Sequence, residues 1–361
     1  MKPKILHIID SFSKGGAEII LAGAVPELND FDHHIIYLAP ENPIDSPKLA
    51  SIPIECLNYS KLSDTISVIK KIKQRIKEIE PDIIHTHLYF STIFVRLIST
   101  DNIPVIHTYH SHYYRINYER LISKYKKKLL QWIDQRTYKS KYTVLHVSQT
   151  QQASNDADVG IKSSSVLYNY VEDAFFTTRK ESSYDNKNKL KIISVGNLKT
   201  EKNHMLLLQA LVLLKHIPIH LNICGHGIDH RKLQAFINKH DLPVTILGSK
   251  NTIVSLLNEH DLFVSCSIIE GFGISIAEAM ASEIPMIISD ISTFKEITEN
   301  KALFFESNNA KDLAAKIEAF YLNPSITAAQ TLACKAVAEK YRKSVFVEKL
   351  NHLYHSKISV E

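Results

Sequence analysis

Two glutamates, Glu270 and Glu278, bracket a turn broken by two glycines. The run reads Glu270-Gly271-Phe272-Gly273-Ile274-Ser275-Ile276-Ala277-Glu278-Ala279-Met280-Ala281 and follows a strand-like segment, Leu262-Phe263-Val264-Ser265-Cys266. An alanine-rich stretch of high helix propensity comes next, so the pattern is strand, glycine loop, helix. Such a loop leaves backbone N–H groups unpaired at the helix start, where the dipole also favours negative charge. A phosphate or sugar hydroxyls suit that position. Ser275 with Glu278 also spells an S-x-x-E capping box, which needs no ligand. Capping does not explain Glu270. A carboxylate held by a glycine turn at the C-terminal end of a strand sits where open α/β sheets bind ligands.

Other residue types capable of chemistry recur at strand ends. Gly15-Gly16 follows the first strand and lets backbone approach a ligand closely. His85-Thr86-His87 and His107-Thr108-Tyr109-His110-Ser111-His112 close two further strands. No cysteine or acidic residue accompanies these histidines at ligand spacing, so no metal is expected. Their position at strand C-termini points them toward a cleft instead.

The elements that must position these groups alternate along the whole chain. Strand-like runs at 5–9, 35–38, 81–87, 105–112, 142–147, 166–169, 190–195, 219–224, 244–247, 262–265 and 285–289 are separated by helix-like or loop segments. That alternation predicts parallel sheets with crossover helices. The polar stretch 172–188 has no periodicity and reads as the domain boundary. Leu121–Tyr138 is amphipathic, with Leu121, Ile122, Tyr125, Leu129, Trp132 and Ile133 assigned to one face. Arg120, Lys124, Lys127 and Lys128 gather on another, either as a solvated face or as a patch for an anionic bilayer.

Bulk properties bound the function. A length of 361 residues suggests two domains, and 45% hydrophobic with 22% charged residues is ordinary for a globular protein. A net charge of +5 is too mild to argue for nucleic acid. The apolar run after Met1 is short and stops at Asp10, so it reads as a buried strand rather than a signal peptide. No apolar run approaches the roughly 18 residues of a membrane span. Cys56, Cys224, Cys266 and Cys334 lack metal spacing, and Cys224 and Cys266, in strand-like runs, read as buried reduced thiols, in keeping with a cytoplasmic protein.

These residues together resemble the retaining glycosyltransferases of family 4. The features are Gly15-Gly16-Ala17-Glu18, Thr108-Tyr109-His110, Val195-Gly196-Asn197-Leu198 with Lys202, and Glu270 to Glu278 as an E-x7-E motif. Val147-Ser148 and Leu167-Tyr168-Asn169-Tyr170-Val171 fall in the same order. The resemblance implies the GT-B architecture, two Rossmann-like domains facing across a cleft. Residues 1–170 would bind acceptor and 171–344 the nucleotide sugar, with a final helix near 345–361 crossing back to the first domain. Lys202 would neutralise the donor pyrophosphate, which Gly15 and Gly16 also approach. Glu270 with Gly271, Phe272, Gly273 and Ile274 would hold sugar hydroxyls, Glu278 the ribose, and Gly248 would border the base. His110, from the opposite domain, would lie near the reactive carbon. The implied reaction moves a sugar, from a UDP-sugar by preference, to a saccharide or lipid-linked saccharide of a surface polysaccharide. It needs no metal and no cofactor. Retention would follow a same-face path in which the departing phosphate helps deprotonate the acceptor. Asn197 stands where the family usually has Arg, and an amide offers hydrogen bonds but no charge. That departure supports an alternative, a binding or scaffold subunit of a partner transferase with a degenerate donor site. The turn Ile291-Ser292-Thr293 departs from the family's Gly-Gly and is read as a matter of loop shape.

Overall fold

Strands buried on both faces must lie between helix layers. The computed structural model bears this out over the residues it describes, 1–13, 15–40, 43–98, 100, 103–115, 124–176, 189–250 and 252–358. The chain divides into two units, one running to Asn169 and taking up again at Lys343, the other spanning Tyr170–Arg342.

In the first unit the strands are β1 (Lys4–Ile9), β2 (Asp32–Tyr37), β3 (Ile54–Cys56), β4 (Ile83–His87), β5 (Val105–Tyr109), β6 (Thr143–His146) and β7 (Ser165–Val166). They pair wholly in parallel in the order β3-β2-β1-β4-β5-β6-β7. The helices are α1 (Gly16–Ala24), α2 (Thr65–Ile79), α3 (Tyr89–Arg96), α4 (Lys124–Thr137) and α5 (Gln149–Val159), with the C-terminal helix Lys343–Ile358 belonging to the same unit. Strand order reverses between β1 and β4, which puts the ends of these two strands at the switch point of the sheet. Register pairs His7 with His85 and Ile9 with His87.

One expectation for α4 is corrected. Leu130 and Ile133 pack against the core, whereas Tyr125, Leu129 and Trp132 are 81%, 55% and 52% exposed. Asp134 sets this rotation. It is buried, pairs with the buried Arg96, and accepts hydrogen bonds from Tyr109 and Tyr114. A carboxylate held by three partners turns its own side of the helix inward, and the apolar stripe goes to solvent. Leu121, Ile122 and Arg120 lie outside the described residues, as does the side chain of Lys124; Lys127 is half-buried and Lys128 exposed.

The second unit repeats the architecture. Its strands are β8 (Leu190–Val195), β9 (Ile219–Cys224), β10 (Val244–Gly248), β11 (Leu262–Ser265), β12 (Met286–Ser289) and β13 (Leu303–Phe305), ordered β10-β9-β8-β11-β12-β13. The helices are α6 (His204–Leu213), α7 (His230–His240), α8 (Ile253–Glu259), α9 (Ile274–Ala281), α10 (Ser292–Ile297), α11 (Ala310–Leu322) and α12 (Ala328–Ala338). The switch point falls between β8 and β11, the strands that carry the Gly196 and Glu270 loops. The largest apolar cluster lies beneath, built from β8, β9 and β11 with α6 and α11.

Candidate functional site

In the second unit, the loops after β8, β9 and β10 are tied to one another by backbone. Gly196 N–H donates to Cys224 O at 2.9 Å, Leu198 N–H to His226 O at 2.8 Å, and Gly225 N–H to Gly248 O at 3.0 Å. A Cβ on Gly225 would stand 1.9 Å from the Gly196 carbonyl oxygen, so only glycine allows this approach. His226 Nδ1 and Ser249 Oγ, 2.5 Å apart, tie the loops after β9 and β10 again. Gly248 and Gly196-Asn197 therefore meet at one end of the sheet, with Gly225 between them. Sequence reasoning missed Gly225, although its Gly-His-Gly setting after a strand was the available signal.

Lys202 ends a short helical turn, Thr200–Lys202, and Ile268 N–H donates to Glu201 O at 2.9 Å. That bond brings the turn against the loop after β11, where Lys202 Nζ forms an ion pair with Glu270. Ser267 Oγ donates to Glu270 Oε1 at 2.8 Å, and Thr293 Oγ1 donates to the Glu270 carbonyl at 2.8 Å. Ser289 Oγ in turn holds the Ser267 carbonyl at 2.6 Å. The turn 291–293 thus reaches the site through the Thr293 hydroxyl. Ser267 and Ser289 carried no motif and were not singled out from sequence, and Thr293 was read only as part of a loop of altered shape.

Gly273, in the left-handed region at φ +91°, is the N-cap of α9. A Cβ there would meet the Phe294 ring at 2.9 Å. The helix consequently starts at Ile274, and no side chain caps it. This corrects the capping-box reading: Ser275 lies inside the first turn, and Glu278 stands too far along to reach back to the cap. Glu278 makes no side-chain hydrogen bond among the described residues, and burial pushes its carboxyl up to about 8. It also raises the thiol of Cys224, behind the larger effect of that thiol's own burial. The side chain is half-buried, and a carboxyl raised this far with no hydrogen bond from the described residues marks a functional-site candidate.

In the first unit, Gly15 is the N-cap of α1. Glu18 folds back over it, and a Cβ at Gly15 would lie 2.2 Å from Glu18 Oε2. Glu18 also accepts from Ser11 Oγ. A carboxylate already covers the helix start expected to receive phosphate at Gly15 and Gly16. His110 follows β5, and its Nε2 lies 3.3 Å from His87 Nδ1. Its Nδ1 is buried without a partner among the described residues, and burial lowers the ring to about 4. Asp10, at the end of β1, accepts from the N–H groups of Phe90 and Ser91 at 2.9 and 2.7 Å and so caps α3. Burial raises Asp10 to about 6 against those bonds. His7, His85 and His87 bring ring nitrogens within 4.8 Å of one another, close enough to share a metal ion. Every one of those nitrogens already has a hydrogen-bond partner in the protein.

Residues 14–175 match the model described as Glycosyltransferase Family 4, and residues 175–341 match the one described as Glycosyl transferases group 1. The chain belongs to the group 1 glycosyltransferases. Among its relatives is the O-antigen biosynthesis glycosyltransferase WclY of Escherichia coli, 24% identical over 326 residues and 86% of each chain. Another is the N-acetylgalactosamine-N,N'-diacetylbacillosaminyl-diphospho-undecaprenol 4-alpha-N-acetylgalactosaminyltransferase of Campylobacter jejuni, 24% identical over 80% of each chain. Sucrose-phosphate synthase from Thermosynechococcus elongatus shares the fold with a TM-score of 0.84 at 16% identity over 100% of both chains. HepE of Anabaena, solved in complex with UDP and glucose, gives 0.82 at 18% identity over 98% of this chain and 100% of that one. The two sheets are those of the GT-B fold. In this glycosyltransferase the second unit gathers Lys202, Glu270, Asn197 and Gly248 at the end of one sheet, and Glu278 follows one helix turn later.

Proposed function

We propose that this glycosyltransferase moves a sugar from a UDP-sugar to a saccharide or lipid-linked saccharide in surface polysaccharide assembly, with retention and without a metal. The observation that carries the reading is the Lys202–Glu270 ion pair at the switch point of the second sheet. A cation and a carboxylate held together there can separate onto different parts of one ligand, Lys202 to the pyrophosphate and Glu270 to sugar hydroxyls. Backbone N–H groups of Gly271–Ile274 at the start of α9 add donors for the same hydroxyls. Glu278, uncharged near neutral pH before ligand arrives, donates to or accepts from a ribose hydroxyl. Asn197 and Gly248 border the nucleotide.

The chemistry follows from charge. Cleavage of the glycosyl bond leaves charge on the departing phosphate, and Lys202 stabilises it more than it stabilises the intact donor, which lowers the barrier. The same phosphate takes the acceptor proton on the same face of the sugar. UDP is favoured because HepE was solved with it, and a lipid-linked acceptor because the Campylobacter relative is named for one. The exposed stripe Tyr125, Leu129 and Trp132, with Lys128 and Arg136 beside it, is proposed to rest on the anionic bilayer that carries such an acceptor.

The test is a thermal-shift series with UDP, GDP, ADP and their sugars in chelator. A clear shift with UDP compounds alone supports the donor and the metal-free site, because a ligand that binds only the folded state must raise its stability. If no nucleotide shifts the transition, Asn197 has disabled the phosphate site and the scaffold reading takes its place.

A further inference from the structure

We infer that His33, His7, His87 and His110 form a directed hydrogen-bond chain that fixes the tautomer of His110 and leaves its Nδ1 as an acceptor for a ligand hydroxyl. Direction is imposed at the far end. His33 Nε2 lies 3.1 Å from the Leu28 carbonyl oxygen, which can only accept, so Nε2 carries the hydrogen. In a neutral ring the other nitrogen is then bare. His33 Nδ1 therefore accepts from His7 Nε2 at 3.1 Å. His7 Nδ1 is bare in consequence and accepts from His87 Nε2 at 3.4 Å. His87 Nδ1 in turn accepts from His110 Nε2 at 3.3 Å. The last nitrogen, His110 Nδ1, has no partner among the described residues and presents a lone pair.

The rings meet because they share a sheet face. His33 on β2 pairs with Ile5 on β1, His7 pairs with His85, and His87 pairs with Thr108, two residues before His110. Side chains alternate along a strand, so all four point the same way. Burial keeps the chain neutral: His7 and His87 are held well below the usual imidazole value, His33 is lowered, and His110 is lowered to about 4. The backbone over-determines the corner. Leu88, directly after His87, is held at φ +72°, and Asp10 clamps the next turn. His85 stays outside the chain, bonded to Tyr354 OH at 2.6 Å and Thr108 Oγ1 at 2.7 Å.

His33, His7 and His87 are positioning residues on this account. An acceptor at Nδ1 suits an alcohol hydrogen, and its use toward a sugar hydroxyl rests on the transferase reading above. The tautomer itself does not.

The experiment is nitrogen NMR of the full chain with 15N-labelled histidine, His110 being assigned by difference with His110→Gln. The expected spectrum shows a protonated, pyrrole-type Nε2 and a bare, pyridine-type Nδ1 for His110. The opposite pattern, or an averaged pair in the wild-type protein, overturns the proposal. His33→Phe removes the anchor three rings away, and the two His110 resonances should move toward each other; an unchanged pair refutes the anchoring. His87→Asn keeps an acceptor near the position of Nδ1 and should hold the wild-type pattern that His87→Leu loses. Equal loss in both would assign the effect to packing and overturn the chain. Undiminished sugar transfer by His110→Gln would remove the role toward substrate while leaving the tautomer result standing.

Discussion

Glu270 stands at the centre of the proposed donor site. It faces Lys202, takes the Ser267 hydroxyl, and is held from behind by Thr293. Glu270→Ala should therefore lower sugar transfer by about a hundredfold or more with the fold retained. Parallel turnover and circular dichroism check this, and near-normal turnover would remove Glu270 from the reaction. Glu278 gives a pH signature. Its folded value of about 8 lies above an ordinary glutamate's, so the native state holds a proton that the unfolded chain releases. Stability from this group is whole in acid below the unfolded value and declines as pH climbs toward 8. Glu278→Gln should flatten that decline, gaining on the order of 2–4 kcal/mol over wild type near pH 9 and little near pH 4. Urea unfolding at both pH values reads the difference, and equal gains at the two would refute the buried-carboxyl account.

Loops and helices decide whether those side chains meet. The three loops after β8, β9 and β10 close on Gly225, which has no room for a Cβ beside Gly196 O. Gly225→Ala should displace the Gly196-Asn197 turn and abolish the nucleotide-induced thermal shift, a loss checked with UDP in the panel above. A retained shift would mean that the loops move independently of the site. In the first unit, α4 is fixed by the buried Arg96–Asp134 pair, on which Tyr109 and Tyr114 also converge. Removing one partner strands a buried charge, so Asp134→Ala should cost roughly 3–5 kcal/mol in chemical denaturation. A cost under about 1 kcal/mol would place the pair with the weak surface bridges instead.

For the molecule as a whole, the surface of α4 matters most. Among the described residues no helix is long and apolar enough to cross a membrane. The proposed adsorption would use the α4 stripe, where Trp132 is 52% exposed and the guanidinium of Arg136 lies 5.6 Å from its ring centroid. The chain has a single tryptophan, so its fluorescence reports that surface alone. Anionic vesicles should shift Trp132 emission to the blue, and raised salt should reverse the shift, since each Lys or Arg near such a surface contributes about 1 kcal/mol that salt screens. Leu129→Ser with Tyr125→Ser should weaken vesicle binding without changing the fold. An emission indifferent to vesicles would rule the docking out.

Sequence alone determined the alternation of strand and helix, hence the parallel sheets, because period and glycine punctuation are local properties. It also singled out Glu270, Lys202, Gly248 and His110 as candidates, each marked by a strand end or by motif order. Tertiary structure decided what no local signal carries. The rotation of α4 depends on Asp134 finding Arg96, a partner 38 residues away in sequence. The loss of the Ser275–Glu278 cap follows from Gly273 fitting beneath Phe294, which moved the helix start by contact rather than propensity. Ser267, Ser289 and Thr293 entered the site only because neighbouring strand ends meet there. The order of the histidine chain required His33 and His7 to stand beside His87 on one sheet face, and strand order, unlike strand identity, is set by long-range pairing.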